Sequence, residues 1–285
     1  MFSERDAGYR VFYKSCCIRF EWRGNKHGQR WDNQRAQILN SGFASGQCQP
    51  KRNGNLDVSH CELCAARSVS ICQAMPVDCM GVLDNIAAKH AIDKGKTFIA
   101  EGDDAESVFN ITAGSAKIYK LLGDGRRQII GFLGVGDFLG LAPGKRYPFS
   151  AEAITSMKYC QFKRSHMEEV FAEYPTMRRK ILDIASNELA EAQEQMLLLG
   201  RKTAEEKIAS FLLGRLRRAK ALGGGGTSVD IPMSRHDIGD FLGLTTETVS
   251  RNLSKMKSNG LISMKGTSTV VLQDQAGLQA IASGD

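Results

Sequence analysis

Two short helices joined by a tight glycine turn constrain the fold of this chain more than any other feature. Residues 234–242 read Ser-Arg-His-Asp-Ile-Gly-Asp-Phe-Leu, and Gly243 follows them, which is the residue type that most readily ends a helix. A second helix is predicted to begin after Thr245, because a threonine oxygen can accept a hydrogen bond from an N–H of the first turn. Two helices connected in this way are typical of a helix-turn-helix.

The second helix carries a polar face that is suited to reading DNA bases. Glu247, Ser250 and Arg251 are three and four positions apart, so their side chains share one side of the helix. Arginine can donate two hydrogen bonds to guanine, and glutamate can accept one from the amino group of cytosine. The alternative is a surface helix with an ordinary Glu–Arg pair. The upstream helix and the 12 basic against 6 acidic residues in 201–270 favour DNA. The predicted contacts are Thr246, Glu247, Ser250 and Arg251.

Length and composition limit the remaining function classes. A chain of 285 residues with 42% hydrophobic residues is long enough for about two packed domains. No run of about 18 apolar residues is present, and residues 1–8 lack the apolar segment of a secretory signal. We therefore expect a cytoplasmic protein without a membrane partner. Residues 1–56 are polar and show no sustained hydrophobic period, so we predict a poorly ordered extension.

A cysteine-rich arm is predicted between residues 57 and 81. Cys61, Cys64, Cys72 and Cys79 follow the spacing C-x2-C-x7-C-x6-C, and the chain has eight cysteines in all. Clustered thiols in a reducing compartment more often bind metal than form disulfides. The spacing leaves zinc and an iron–sulfur cluster both open, because either accepts a set of four thiolates. A disulfide pair is a further option.

The middle of the chain has the pattern of an antiparallel β structure. Short β-branched and aromatic runs alternate with glycines, at the 8–12-residue intervals of a sandwich or barrel. Asp124-Gly125 is a good hairpin tip. Residues 82–91 and 166–174 are predicted to be short helices on either side of it. The predicted strands are residues 97–99, 107–111, 116–119, 128–132 and 157–162.

A long helix is predicted after Pro175, with its apolar residues in steps of three and four. Such a heptad seam, about 26 Å long at 1.5 Å per residue, either packs against the same chain or pairs two chains. Another helix over residues 203–219, a glycine break at 223–226 and a ribbon at 261–272 complete a winged helix-turn-helix. The seam consists of Leu182, Ala185, Leu189, Ala192, Met196 and Leu199.

This order of elements resembles the cAMP receptor protein/fumarate–nitrate regulator superfamily over roughly residues 58–280. The resemblance implies an α+β fold whose N-terminal β-roll is a jelly roll of the cyclic-nucleotide-binding type. The implied organisation is a β-roll sensor domain at 82–174, a dimerisation helix at 175–200 and a winged helix-turn-helix DNA-binding domain at 201–285.

The Glu-x-x-Ser-Arg pattern that ends at Arg251 resembles the anaerobic Fnr, FnrN and FnrL branch of that superfamily. Members of this branch hold an oxygen-labile [4Fe-4S] cluster and, as homodimers, bind inverted half-sites of the TTGAT type, where they contact RNA polymerase. Cys79 is an alternative fourth ligand; the resemblance favours Cys160, which would tie the arm to the β-roll. The implied cluster ligands are Cys61, Cys64, Cys72 and Cys160.

Three other readings are weighed against this one. Cyclic-nucleotide pockets of the superfamily use a Glu and an Arg where this chain has Asp137 and Phe149. We expect no cAMP response, since a buried phosphate without a cation is costly. A zinc-stabilised regulator using Cys79 would not sense oxygen. An iron–sulfur or zinc enzyme is disfavoured, because the five histidines are scattered and form no catalytic constellation.

Overall fold

The computed structural model describes residues 59–142, 144–266 and 268–284. The predicted α+β architecture is confirmed: an antiparallel β-roll is followed by a long helix and a C-terminal winged helix-turn-helix. The predicted poorly ordered extension, residues 1–56, lies outside the described ranges. No helix in those ranges combines the length and the apolar character that crossing a bilayer requires.

The β-roll consists of two four-stranded antiparallel sheets. The first has the strand order β1-β8-β3-β6 and the second has the order β2-β7-β4-β5. All five predicted strands are present, whereas β1, β6 and β7 were not predicted. The strands are β1 (Ala88–Ile92), β2 (Thr97–Ile99), β3 (Ser107–Ala113), β4 (Ala116–Leu121), β5 (Arg127–Leu133), β6 (Phe138–Leu139), β7 (Ser150–Ala153) and β8 (Met157–Lys163).

The helix predicted over residues 82–91 is only partly correct. Helix α1 spans Met80–Ile86, and strand β1 begins two residues later. The apolar positions that indicated a helix lie before Ala88, and the residues after it pair in register with β8. Sheet pairing with a strand far along the chain therefore decides the conformation of this segment, which local periodicity does not reveal.

The C-terminal half is helical apart from a three-stranded sheet of order β10-β11-β9. Helix α3 begins at Pro175, as predicted, because proline is tolerated in a first turn. Helix α7 was not predicted, and it packs against α4 with Leu278 and Ala282 buried. The elements are α2 (Arg164–Glu173), α3 (Pro175–Arg201), α4 (Ala204–Ala221), β9 (Ser228–Asp230), α5 (Arg235–Leu242), α6 (Thr246–Ser258), β10 (Ile262–Lys265), β11 (Thr269–Leu272) and α7 (Gln275–Ser283).

The cysteine-rich arm packs on the outer face of the β1-β8-β3-β6 sheet. It contains three short 3-10 helices, Arg67–Val69, Ile71–Ala74 and Val77–Cys79. Side chains alternate across a strand, so Phe109 of β3 enters the roll interior while Val108 faces the arm. The core between arm and sheet is mainly apolar and includes Cys61, Ile71, Cys72, Met75, Val108, Phe138, Phe162 and Met177.

The β-roll also contacts the first helix of the helix-turn-helix. Lys117 of β4 places its Nζ 2.8 Å from Asp237 Oδ1 and 3.0 Å from Glu152 Oε1. The Arg127 guanidinium lies 2.9 Å from Asp237 and 2.8 Å from Asp240. Beside these ion pairs, the rings of Phe132, Phe211 and Phe241 pack with centroids 5.0–6.1 Å apart. Charged and aromatic contacts together fix α5 against the roll.

Gly136 provides a test of how closely the arm approaches the sheet. Its φ is +92°, and an added Cβ would lie 2.5 Å from the carbonyl oxygen of Val69 in the arm. Gly125 has φ +85° with nothing within 4 Å of an added Cβ, so Gly125→Ala controls for backbone strain alone. We expect Gly136→Ala to lower the free energy of unfolding by about 1–3 kcal/mol more than the control, since overpacking forces backbone shifts. Urea unfolding measures both, and equal losses would contradict the described packing.

Candidate DNA interface, thiol site and helix seam

The helix-turn-helix is built by local capping and by two glycines. Ser234 Oγ accepts a hydrogen bond from the Asp237 N–H at 3.0 Å, and the Asp237 carboxylate accepts one from the Ser234 N–H at 3.2 Å. Gly243 has φ +64°, as the predicted turn requires. Sequence reasoning missed the need for Gly239, where an added Cβ would lie 2.6 Å from the Leu244 carbonyl oxygen. The angle between the two helices therefore depends on both glycines.

Helix α6 presents the predicted face to solvent. Its apolar residues Val249, Leu253 and Met256 are buried. Thr246 is partly buried, whereas Glu247, Ser250 and Arg251 are exposed. Thr245 caps the helix through a 3.2 Å hydrogen bond from the Thr248 N–H. The exposed side chains therefore stand on a helix whose opposite face is anchored in the core.

The Glu247 carboxylate is held in its charged form. Its own backbone N–H and the Thr245 hydroxyl hydrogen-bond to it and lower its pKa. An ionised carboxylate can only accept hydrogen bonds, which suits the amino group of a cytosine. Arg251 is not among the groups that lower this pKa, and base reading by Glu247 and Arg251 stays a prediction.

The free cysteines of the described chain are the four that the resemblance implies as ligands: Cys61, Cys64, Cys72 and Cys160. Cys79 is instead in a disulfide bond. Cys160 lies on β8, 88 residues after Cys72 of the arm, and its proximity to the arm is therefore a result of folding. Cys61 and Cys72 are buried in the core between arm and sheet, and Cys160 packs against the same core.

The four thiols influence one another electrostatically. Burial is the main cause that raises the pKa of Cys61 to about 12, and Asp84, Cys72 and Cys160 add to the shift. Burial likewise raises the pKa of Cys160 to about 11, with smaller contributions from Cys72 and Cys64. Without a bound cation the two thiols are therefore protonated at neutral pH. A metal centre would have to displace these protons, as thiolate ligation generally does.

Two charged residues that sequence reasoning missed adjoin the thiols. Cys61 Sγ donates to Asp84 Oδ1 at 3.6 Å, and Lys89 Nζ lies 2.7 Å from the same oxygen. The hydrogen bond from Lys89 lowers the pKa of Asp84. Lys89 is also the cross-strand partner of Cys160. A pairing between residues 71 positions apart leaves no local signal in the sequence.

The four free cysteines are a donor set that an iron–sulfur cluster can use. A tetrahedral zinc with Zn–S bonds of about 2.3 Å requires sulfurs about 3.8 Å apart. In the described ranges no group of three or more His, Cys, Asp or Glu side chains is arranged to hold a metal ion. A four-iron cluster is held by four cysteine thiolates, which is the number of free cysteines in the described part of the chain.

Asp137 and Phe149, which stand where cyclic-nucleotide pockets have a Glu and an Arg, both make contacts within the chain. The Asp137 carboxylate accepts a 2.8 Å hydrogen bond from the Gly134 N–H and also pairs with Arg218 of α4. Phe149 packs against the interior of the roll. The carboxylate that replaces the ribose-binding Glu is therefore paired with a residue of the C-terminal half of the chain. Insensitivity to cAMP stays a prediction.

The predicted seam on α3 is largely uncovered within the chain. Leu182, Leu189 and Met196 are 63%, 59% and 66% exposed, and both seam alanines are exposed too. Leu199 differs, because it packs against the C-terminal core beside Gly243. Packing against the same chain, the alternative reading of the heptads, therefore applies to Leu199 and not to the other five. Near its start, α3 turns a different face, with Met177 and Ile181, toward the arm.

Comparison with known proteins agrees with both halves of the fold. Residues 89–174 match the cyclic nucleotide-binding domain family, and residues 206–281 match the Crp-like helix-turn-helix domain family. The nitrogen fixation regulation protein FixK of Bradyrhizobium diazoefficiens is 40% identical over 222 residues, which are 78% of this chain and 93% of FixK. The transcriptional activator protein FnrL of Cereibacter sphaeroides is 35% identical over 229 residues, 79% of this chain and 92% of FnrL.

A solved structure is also similar to this chain in both sequence and fold. FixK2 from Bradyrhizobium japonicum is 39% identical, with a TM-score of 0.64 over 69% of this chain and 97% of that chain. These relatives are transcription regulators and not enzymes, so the enzyme alternative is set aside. The chain belongs to the Crp/Fnr family of DNA-binding transcription regulators.

Proposed function

We propose that this chain is an oxygen-responsive regulator that holds a [4Fe-4S] cluster and, as a homodimer under low oxygen, binds an inverted-repeat DNA site. The observation that carries the proposal is the grouping of the four free cysteines between the arm and β8. The cluster ligands are Cys61, Cys64, Cys72 and Cys160. The similarity to FnrL, a transcriptional activator protein, is in keeping with this branch.

The arm connects the thiols to the long helix. The 3-10 helix that contains Cys72 packs against α3, and Met177, Ile181 and Ile184 of α3 line the same core as the thiols. A bound cluster supplies iron–thiolate bonds between arm and roll that oxygen can destroy. Once Cys160 no longer holds the arm on β8, the contact between the arm and the base of α3 loosens.

Helix α3 connects that core to the DNA-binding half. Its 27 residues span about 40 Å at 1.5 Å per residue. Near its far end Gln195 Nε2 donates a 2.8 Å hydrogen bond to the Phe241 carbonyl of α5. Pairing of two seams sets the separation of two α6 helices, which a two-fold operator requires to be about one helical turn. We propose TTGAT-type half-sites read by Thr246, Glu247, Ser250 and Arg251, with RNA polymerase as the downstream partner.

A second candidate is a regulator of the same type that binds DNA without any cluster. Burial in an apolar core raises the pKa values of Cys61, Cys72 and Cys160. Buried neutral thiols behave as small apolar side chains and are inert, so the cysteines would then serve only as packing residues. Such a protein would be colourless and indifferent to air.

The first test is the spectrum of protein prepared without air. We expect a brown protein with about four irons and four sulfides per chain, absorbing near roughly 400–420 nm and bleaching in air. The Cys160→Ser variant should lack this absorption and the Cys79→Ser variant should keep it, because only Cys160 is assigned as a ligand.

Gel retardation of an operator fragment should weaken after the protein is exposed to air. Equal retardation before and after exposure, by a colourless protein, would establish the second candidate instead.

The second test separates base reading from phosphate binding at Arg251. Arg251→Ala should cost about 1–3 kcal/mol of discrimination at one base pair of each half-site. Arg251→Lys keeps the positive charge but loses the bidentate geometry, so it should lose nearly as much discrimination. Fluorescence anisotropy with single-base-pair operator variants measures both. If Arg251→Lys binds every operator like the parent protein, Arg251 is a phosphate contact.

The third test concerns the seam. Leu189→Glu places a charge at the centre of the exposed apolar stripe, where two copies are proposed to meet, and should shift the protein towards monomers by at least about tenfold in dissociation constant. Ala190→Glu is the matched control, since residue 190 is exposed and lies about 100° round the helix from residue 189. Anaerobic light scattering over a concentration series measures the dissociation constants. Equal effects of the two substitutions would place the dimer contact elsewhere.

A further inference from the structure

Asn110 is a polar residue inside the apolar core between arm and sheet. Its residue exposure is 2%, and its Oδ1 has no hydrogen-bond partner in the described part of the chain. A buried amide atom without a partner is destabilising and in a native protein requires an explanation. Nothing in the packing of the roll supplies one.

The register of the sheet places this amide beside a proposed ligand. Asn110 of β3 is the direct cross-strand partner of Cys160 on β8 and of Phe138 on β6. Directly opposed residues in an antiparallel pair point to the same face, with Cβ atoms about 4.5–5.5 Å apart. Phe138 and Cys160 both belong to the core that contains Cys61 and Cys72. The Asn110 amide therefore faces the thiols and not the interior of the roll.

The other cross-strand neighbour of Cys160 already has an ion-pair partner. Lys89 is its partner on the opposite strand, β1, and the Lys89 ammonium is 2.7 Å from Asp84. Asn110 is thus the flanking residue whose amide oxygen has no partner in the described part of the chain. The oxygen and nitrogen of an asparagine amide exchange places by a half-turn about one bond, so the group can turn an N–H donor toward a thiolate.

Resting on the function proposed above, we propose that Asn110 donates a hydrogen bond to Cys160 Sγ or an adjacent inorganic sulfide and so sets the oxygen sensitivity of the centre. Hydrogen bonds to the sulfurs are among the factors that fix the reduction potential of a cluster. A donor stabilises the more negative, reduced state, so it raises that potential. Asn110 is a tuning residue, and it is not a ligand.

The test compares Asn110→Leu with Gln161→Leu. Gln161 is next to Cys160 on β8, pairs with Phe109 on the face turned away from the arm, and hydrogen-bonds Ser107 Oγ at 2.8 Å. Both variants exchange a similar amide for leucine within one strand pair. We expect Asn110→Leu to lower the midpoint potential and to lose iron to a chelator about tenfold faster, as loss of a ligand's hydrogen-bond partner does. Gln161→Leu should match the parent protein in both measurements.

Urea unfolding of the cluster-free proteins shows whether Asn110→Leu acts through the stability of the fold and not through the cluster. Replacing a buried, unpaired amide with an apolar group of similar size is neutral or stabilising, so cluster-free Asn110→Leu should resist urea at least as well as the parent. A loss of stability in cluster-free Asn110→Leu, with an unchanged potential, would make Asn110 a packing residue and overturn the inference.

The outcomes also separate this inference from the proposed function. If the parent protein binds iron and sulfide but Asn110→Leu retains the parental potential and iron-loss rate, only the tuning role fails. If the parent protein binds neither iron nor sulfide under strictly anaerobic conditions, the proposed function fails and the inference falls with it.

Discussion

The packing of a short, cysteine-bearing arm onto the outer face of one sheet is the contact on which the rest of this molecule depends. It buries Cys61 and Cys72, brings them to Cys160, and presses the same core against the base of α3. The arm has little regular structure apart from 3-10 turns, so burial of its apolar residues is its main source of order. The proposed cluster would bridge two regions that are distant in the chain.

The second essential contact lies between the β-roll and helix α5 of the DNA-binding half. Asp237 serves both halves: it completes the capping box of α5 and also receives Lys117 and Arg127 from the roll. Lys117 and Asp237 are both buried, and a buried charge is tolerated only when it is paired. The pairing therefore specifies one orientation of α5, while Phe132, Phe211 and Phe241 supply apolar contact beside it.

Features with local causes could be predicted from the sequence. Thr245, Gly243 and Pro175 carry capping, turn and helix-start chemistry, and the helices around them lie as predicted. Segments whose structure depends on distant partners could not be predicted in this way. The residues of β1 were assigned to a helix because the local sequence does not reveal their pairing with β8. The proximity of Cys160 to the arm could be expected only from the family resemblance. Asp84, Lys89 and Asn110 were missed because register, and not spacing, places them beside the thiols.

The ionic and aromatic junction at α5 also bears on the thermodynamics of operator binding. A reading helix on a free linker would lose its rotational freedom at the moment of capture, and that entropy would weaken the complex. In this chain Lys117, Arg127 and the three phenylalanines immobilise α5 during folding. The helix-turn-helix is therefore already ordered when it meets an operator. The main variable that remains is the distance between the helix-turn-helix motifs of the two protomers.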